Sequence, residues 1–282
     1  MKIIRNINIL RKVIGKIKAK GKTVGFVATM GALHEGHLSL MRWARKENDI
    51  LLVSIFVNPA QFGPEEDFKR YPRNLQRDSR FCAETGVDIL FYPDIKQIYP
   101  QNYQTYVTVE GLSDCLCGKF RPGHFRGVAT VVAKLFNIVQ PDSAYFGQKD
   151  AQQASIIKRM VLDLNMPIRI RVMPTVRERD GLALSSRNVY LSREERKDAL
   201  VLSRALALAR RLIWQGKKNP KYIINNMRKI IKAKSNAKID YISIVDLENL
   251  RPLVKINDKA LVALAVWIGR TRLIDNIIVN AN

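Results

Sequence analysis

Short apolar segments that alternate with amphipathic ones dominate the first 175 residues of the chain. The apolar segments are typical of buried strands, and the segments 38–47 and 127–139 between them carry apolar residues at helical spacing. Strands that alternate with helices predict an α/β fold, a Rossmann-like parallel sheet with helices on both faces. The five predicted strands are 23–29, 49–58, 87–93, 142–147 and 168–176.

The pattern changes in the last hundred residues. The segments 193–214 and 220–234 have an apolar stripe at i, i+3 and i+4, which predicts two amphipathic helices. We therefore expect two domains, a Rossmann-like domain over 1–175 and a smaller α+β domain over 176–282. Three apolar segments predict the strands of the second domain, joined by short turns: 238–250, 260–269 and 271–279.

The chain has the composition of an ordinary soluble protein, with 47% hydrophobic and 26% charged residues among 282. The first 22 residues mix Ile with Lys and Arg at roughly helical spacing, which predicts an amphipathic helix and no signal peptide. The longest apolar run, 261–268, is too short to span a bilayer. Three cysteines do not make a disulfide framework, so we expect a cytoplasmic protein without a membrane partner.

The formal net charge of +23 raises the question of an anionic partner, and the segment 199–239 contains no acidic residue. An RNA-binding protein is one interpretation, and a compositional bias toward Ile, Lys and Asn is another. The basic residues alternate with an apolar helical stripe that is typical of a core, and no aromatic platform for stacked bases is evident. We expect only weak, salt-sensitive affinity for RNA and no specific nucleic-acid partner.

The segment 26–40 contains two of the three histidines in the chain, His34 and His37. They follow a predicted strand, lie on either side of a glycine and precede an amphipathic helix. Free amides at a helix start favour anions, so two imidazoles beside them predict a phosphate site. The alternatives are a zinc site with His124 or the Cys115/Cys117 pair, two incidental loop histidines, and a pair that only caps the helix.

The segment "TMGALHEGH" resembles the H-x-G-H signature of nucleotidyltransferases, and its surroundings resemble the pantoate–β-alanine ligase family. Three further blocks are similar to that family in order and spacing: "FVNPAQFGPEEDFKRYPR" (56–73), "RPGHFRGVATVVAKLFNIVQPDSAYFGQKDAQQ" (121–153) and "TVRERDGLALSSRN" (175–188). Two positions depart from the family pattern. Ala28 stands where the family has Pro, and Leu184 stands where it usually has Met.

The resemblance implies a two-step, ATP-dependent reaction. The carboxylate of pantoate attacks the α-phosphorus of ATP to give pantoyl adenylate and pyrophosphate. The amine of β-alanine then attacks the activated carbonyl, which releases AMP and pantothenate, a coenzyme A precursor. The resemblance also implies Mg²⁺ held mainly by the ATP phosphates, a homodimer formed through the first domain, and a second domain that acts as a lid.

The resemblance also implies a set of site residues. His37 and His34 would stabilise the phosphates, with His37 as a proton donor, and Lys149 and Arg187 would add charge. Gln61 and Gln153 would bind pantoate, and Gln61 would also contact β-alanine. The ATP site would consist of Met30, Gly31, Ala32, Leu33, His34, Glu35, Gly36, His37, Gly147, Gln148, Lys149, Asp150, Val176, Leu184, Ser185, Ser186 and Arg187.

Several residues keep two interpretations at this stage. Asp150 either contacts the ribose or caps a helix, and Asp78 is either a second Mg²⁺ contact or a solvated carboxylate on a helix. The cluster of Arg121, His124 and Arg126 belongs either to the pocket or to a surface loop. A neutral amide at Gln61 suits pantoate because it can donate to a carboxylate and accept from a hydroxyl. We expect the two neighbouring cysteines to be ordinary thiols.

Overall fold

The computed structural model describes residues 1–64 and 66–281. The sequence block 56–73 includes Glu65, and the predicted second domain ends at Asn282; these two residues lie outside the described part. A search of the described helices finds none that combines the length and the apolar character needed to cross a membrane.

A six-stranded parallel sheet forms the larger part of the molecule, in the order β1-β4-β3-β2-β5-β6. Helices cover both of its faces, so the predicted α/β class and the Rossmann-like sheet are confirmed. Each predicted strand forms, and one strand that we did not predict lies at the edge. The strands are β1 (Lys2–Ile4), β2 (Val24–Thr29), β3 (Ile50–Ile55), β4 (Ile89–Phe91), β5 (Ser143–Gly147) and β6 (Arg169–Met173).

Seven helices belong to this part of the described chain, and they divide between two apolar cores. One core packs α1, α6 and α7 against one face of the sheet, and a smaller core packs α2 and α3 against the other face. The helices are α1 (Ile7–Lys18), α2 (Glu35–Glu47), α3 (Leu75–Glu84), α4 (Ile95–Ile98), α5 (Leu116–Phe120), α6 (His124–Val139) and α7 (Ala151–Asp163).

The remaining elements form a separate antiparallel sheet covered by two helices. These are α8 (Arg193–Trp214), α9 (Pro220–Lys232), β7 (Ala237–Val245), β8 (Lys259–Ile268) and β9 (Thr271–Asn280). The sheet order is β7-β8-β9. A capping box between Ser192 and Glu195 starts α8 at the residue that the sequence predicts. The apolar stripe of α9, including Ile223, Met227 and Ile231, is buried as a core, which agrees with the prediction for this basic segment.

Two boundaries differ from prediction for a physical reason. The amphipathic segment at the start of the chain begins with β1, which pairs with β4, and Asn6 then caps α1. The helices α2 and α6 start three residues earlier than predicted, at Glu35 and His124. Their first turns carry few apolar residues, so the periodic pattern begins late, while caps at His34 and Gly123 set the real start.

The topology brings three sequence blocks to one edge. The strands β2, β3 and β5 are parallel neighbours, with β2 in the middle. Their carboxyl ends lead into the loop 30–34, the turn Pro59–Gln61 and the turn Gln148–Asp150. Ligands of open α/β sheets bind at this edge.

Candidate active site

A buried carboxylate on α3 holds the backbone of the loop after β2. Asp78 on α3 is 2% exposed, and it accepts hydrogen bonds from the amides of Ala32 at 2.9 Å and Leu33 at 3.0 Å. Gly31 has a φ of +83°, and a Cβ there would lie 3.0 Å from an oxygen of Asp78. Ala32 also has a positive φ, of 50°. The contacts to Asp78 hold this unusual backbone in place.

The interpretation of Asp78 as a solvated carboxylate is therefore wrong, whereas a second contact to Mg²⁺ stays a prediction. Its carboxylate is buried rather than solvated, and both oxygens bind backbone amides. In addition, no group of three or more His, Cys, Asp or Glu side chains in residues 1–64 and 66–281 is arranged to hold a metal ion. Asp78 supports the loop that the histidines follow.

His34 and His37 cap the start of α2 reciprocally. The Nδ1 atom of His34 accepts from the amide of Gly36 at 3.2 Å, and Nδ1 of His37 accepts from the amide of His34 at 3.4 Å. Because Nδ1 of each ring is the acceptor, the proton of the neutral ring lies on Nε2. Capping, which the sequence offered as an alternative to phosphate binding, thus fixes two rings with Nε2–H donors available.

The glycine between the histidines leaves room for this arrangement. A Cβ at Gly36 would lie 2.9 Å from Cε1 of His34, too close for the ring to keep its place. The two ring centroids are 4.2 Å apart. The spacing H-x-G-H therefore has a local cause, since the first ring folds back over the glycine to reach its amide.

The electrostatic surroundings keep both rings neutral. Burial, followed by the charge of Lys149, lowers the pKa of His34 to about 4. Burial, followed by His34 and Lys149, lowers the pKa of His37 well below its usual range. At neutral pH this site therefore offers uncharged donors next to one lysine ammonium group.

The turn after β3 places Gln61 next to this loop. Its Nε2 lies 3.1 Å from Sδ of Met30. Helix α6 approaches the turn closely, because a Cβ at Gly127 would lie 2.1 Å from the carbonyl oxygen of Ala60. Asn58 occupies the space between the turn and α6, and its amide contacts the carbonyl of Gly127 at 3.1 Å. The side chain of Asn58 is 1% exposed.

The basic cluster at the start of α6 contributes two residues, Arg121 and His124, to this wall of the site. Nδ1 of His124 lies 2.8 Å from the carbonyl oxygen of Gln61, and Nε2 lies 2.9 Å from the guanidinium of Arg121. Burial and then Arg121 lower the pKa of His124 to about 4. Arg121 pairs with Glu66 at 2.5 Å. The pocket interpretation holds for these two residues, whereas Arg126 packs over the ring of Tyr106 at 3.8 Å.

The turn after β5 carries Lys149 and Asp150, whose side chains are 3.4 Å apart. Asp150 occupies the N-cap position of α7, but its side chain makes no capping hydrogen bond. Asn276 on β9 holds this turn, since its amide donates to the carbonyls of Gln148 and Lys149, both at 2.9 Å. The smaller sheet thereby fixes the backbone of a predicted phosphate-binding turn.

The second predicted phosphate loop is held by its own set of contacts. The amide of Leu184 donates to the carbonyl of Val176 at 3.0 Å, which brings these two predicted adenine contacts together. Arg187 does not point into open space, because its guanidinium binds both oxygens of Asp67, at 2.8 and 3.1 Å. The hydroxyls of Tyr71 and Ser186 are 3.3 Å apart.

A cavity of about 1130 Å³ lies between the turn after β5, the segment 182–190 and the smaller sheet. Among its described lining residues are Lys149, Asp150, Gln153, Ser185 and Arg187. His34, His37 and Gln61 are not among the lining residues, but the charge of Lys149 acts on the rings of His34 and His37. Lys149 therefore connects the predicted site residues of the cavity with His34 and His37.

Sequence reasoning missed four residues that hold the site: Asn58, Asp67, Asp78 in its actual role, and Asn276. Asn276 had a usable signal, because it follows Asp275 within an apolar strand segment and both side chains are almost fully buried. Asp275 forms a two-pronged ion pair with Arg177 at 2.6 and 2.9 Å. Polar residues inside an apolar strand indicate that the fold supplies them with hydrogen-bond partners. The other three had no comparable signal.

The fold and the H-x-G-H loop define the nucleotidyltransferase type of α/β protein, and comparison with known proteins identifies the family. The family model described as Pantoate-beta-alanine ligase matches residues 2–278. The chain therefore belongs to the pantoate–β-alanine ligase family and is an enzyme.

Close relatives cover the whole chain. A protein named "Pantothenate synthetase" from Moorella thermoacetica is 56% identical over 282 residues, all of both chains. A crystal structure of pantothenate synthetase from Thermus thermophilus has a TM-score of 0.94 at 47% identity and covers 98% of this chain and 99% of its own. A structure of the Francisella tularensis ligase, titled as a complex with "Beta-gamma ATP and Beta-alanine", has a TM-score of 0.82 at 38% identity, covering 99% and 97%.

Proposed function

We propose that this ligase condenses pantoate with β-alanine through a pantoyl-adenylate intermediate. The carboxylate of pantoate attacks the α-phosphorus of ATP, and pyrophosphate leaves. The amine of β-alanine then attacks the acyl carbon, and AMP leaves with one of the original carboxylate oxygens. Adenylation is needed because a carboxylate is a poor electrophile, so the protein must position reactants and offset phosphate charge. The Francisella tularensis relative, described as complexed with "Beta-gamma ATP and Beta-alanine", supports ATP and β-alanine as the substrates.

The observation that carries the proposal is the position of Lys149, which is close to His34 and His37 and lines the same cavity as Arg187. His34 and His37 would offer Nε2–H donors to the phosphates of ATP, and Arg187 would offer its guanidinium. A proton-donor role for His37 requires that bound phosphates first raise its pKa, because burial keeps the free imidazole neutral. In the ground state we assign both rings to hydrogen bonding of the phosphates.

We assign the remaining roles by position. Gln61 and Gln153 would bind pantoate, and Gln61 would also face β-alanine. Asp150 would contact the ribose, since its carboxylate makes no capping bond and lines the cavity. The backbone at residues 176 and 184 would contact the adenine.

Mg²⁺ would reach this site with ATP. Both oxygens of Asp78 are occupied by amides, and the described residues hold no ready cluster of metal ligands. The ligands of Mg²⁺ would therefore come mainly from the phosphates, where the ion would offset their negative charge.

The division into domains 1–175 and 176–282 remains a proposal, with the second domain acting as a lid over ATP. The ion pair between Arg177 and Asp275 would lie at the joint. A homodimer formed through the first domain, a cytoplasmic location and only weak RNA affinity also remain predictions.

An oxygen-transfer experiment tests the intermediate. The enzyme is incubated with ATP, β-alanine and pantoate labelled with ¹⁸O in its carboxylate. We expect one labelled oxygen in each AMP and AMP formation only when both acids are present. Label in inorganic phosphate together with ADP would mean attack at the γ-phosphorus instead, and the absence of turnover with pantoate would contradict the substrate assignment.

A further inference from the structure

The side chain of Asn58 is enclosed and fully hydrogen-bonded. Its Oδ1 accepts from the hydroxyl of Tyr99 at 2.8 Å and from the amide of Ala60 at 3.3 Å. Its Nδ2 donates to the carbonyl of Gly127 at 3.1 Å and to Oε1 of Gln61 at 3.0 Å. Both donors and both acceptor positions of the amide are therefore in use.

This arrangement permits only one orientation of the Asn58 amide. A rotation of the amide by half a turn would place its nitrogen against the N–H of Ala60 and its oxygen against the carbonyl of Gly127. Both contacts would leave buried polar groups unpaired, and each such group costs free energy. Two backbone groups thus set which end of Asn58 faces Gln61.

The orientation of Asn58 determines the orientation of Gln61 in turn. Because Nδ2 of Asn58 donates to Oε1 of Gln61, the amino group of Gln61 points the other way, toward Met30 and the histidine loop. Gln61 can then offer only donors on that side. This differs from the sequence-based expectation that the amide both donates and accepts.

The hydroxyl that completes the network comes from a packed aromatic group. The ring of Tyr99 lies 6.1 Å from Phe56 and 5.0 Å from Tyr103. Burial raises the pKa of Tyr99 above its usual range, so the hydroxyl keeps its proton and donates. Packing therefore fixes the position from which Tyr99 reaches Asn58.

We infer that Tyr99 and Asn58 are positioning residues that lock the amide of Gln61 with its amino group toward the substrate, so that this part of the pocket accepts a carboxylate or another hydrogen-bond acceptor. The inference rests on the proposed pantoate-binding role of Gln61. Neither positioning residue needs to touch the substrate itself, since the effect passes through the amide of Gln61.

Two substitutions test the lock. In Asn58→Asp the side chain can no longer donate, so Gln61 must turn its amino group toward residue 58 and present an oxygen to the carboxylate. We expect KM for pantoate to rise at least tenfold, with KM for ATP changed less than twofold. Tyr99→Phe removes one hydrogen bond from Asn58, and we expect KM for pantoate to rise about threefold to tenfold.

Tyr103→Phe is the matched control, because it removes a hydroxyl from the neighbouring ring of the same stack and leaves Asn58 untouched. We expect its kinetic constants to match those of the unmodified enzyme. Thermal unfolding checks that each variant folds. If Asn58→Asp does not fold, because its charge is buried, Tyr99→Phe alone decides the question.

The Gln61→Ala variant separates failure of the inference from failure of the proposed function. If Gln61→Ala raises KM for pantoate, we expect Asn58→Asp and Tyr99→Phe to have no further effect on that KM in the Gln61→Ala background. Equal effects in both backgrounds, or a folded Tyr99→Phe with an unchanged KM for pantoate, would overturn the inference alone. An unchanged KM for pantoate in Gln61→Ala would instead overturn the role of Gln61.

Discussion

The two loops proposed to hold the phosphates of ATP are prepared in different ways. The first loop, 29–37, is fixed by contacts that leave its donors available, since Asp78 binds its amides and the histidines cap α2 through Nδ1. The second loop, 184–190, has its strongest donor engaged, because Arg187 binds both oxygens of Asp67. One loop is preorganised, whereas the other must exchange a partner.

The difference determines how much each loop must reorganise when ATP binds. Donors fixed in advance need no reorganisation when the ligand arrives, so the first loop suits charge that develops during the reaction. A guanidinium binds a carboxylate and a phosphate with the same two-pronged geometry. If Arg187 binds a phosphate of ATP as proposed, we expect ATP to displace Asp67 from its guanidinium.

The largest expected effect is on the rate of adenylate formation, and it tests His37 in the first loop. We expect His37→Ala to raise the barrier to adenylate formation by roughly 2–4 kcal/mol, by analogy with the loss of one preorganised donor. The measurement is pre-steady-state release of pyrophosphate from ATP and pantoate. His37→Gln is the matched variant, because Gln at this position can keep the capping box but has no imidazole. If His37→Gln restored the rate, the histidine would matter only as a cap.

The next effect tests what holds the first loop. In Asp78→Ala the amides of Ala32 and Leu33 lose their buried acceptor, and we expect a loss of about 2–3 kcal/mol in the free energy of unfolding. Urea unfolding measures it. The same change at Asp67 is the comparison, and we expect it to cost about 1 kcal/mol or less, since that ion pair is partly exposed. Equal losses would mean that the two loops are held alike.

The pH dependence of stability tests whether the two histidines of the first loop are neutral. The pKa of His34 is lowered to about 4, and that of His37 well below its usual value, so the unfolded chain binds more protons below about pH 6.5. Stability is then fully present above pH 6.5 and falls as the pH drops toward 4, by about 1.4 kcal/mol per pH unit for each neutral histidine.

Urea unfolding at pH 7.5, 6 and 5 measures this slope. His37→Gln should reduce the slope between pH 6 and 5, because it removes one group whose pKa is lowered on folding. His124, whose pKa is also lowered to about 4, contributes to the slope in every variant. A slope that His37→Gln leaves intact would contradict a neutral His37.

The smallest expected effect is on the Kd for ATP, and it tests whether ATP replaces Asp67 as the partner of Arg187. Asp67→Ala frees the Arg187 guanidinium, and we expect the Kd for ATP to fall about threefold to tenfold, equivalent to about 1 kcal/mol. Calorimetric titration with ATP measures it. In the Arg187→Ala background, Asp67→Ala should have no further effect. Weaker ATP binding in Asp67→Ala would show that the ion pair positions Arg187 for the phosphate.

Much of the fold could be predicted because its signals are local. Apolar runs located every strand of the large sheet except β1, and the apolar stripe of 193–214 located α8 with its correct start. The strand β1 was missed because its three residues continue the pattern of the amphipathic helix, and its pairing partner β4 lies far along the chain. Short edge strands take their structure from such a partner.

For the candidate site, the sequence alone determined which residue types stand at the carboxyl ends of β2, β3 and β5, and the resemblance attached roles to them. Only the tertiary structure decided their partners: Asp78 beneath the first loop, Asp67 on Arg187, and Asn58 behind Gln61. Each of these contacts joins segments that are distant in sequence or depends on the direction of a side chain. Hydrophobic periodicity indicates which face is buried, but it does not indicate which polar group lies there.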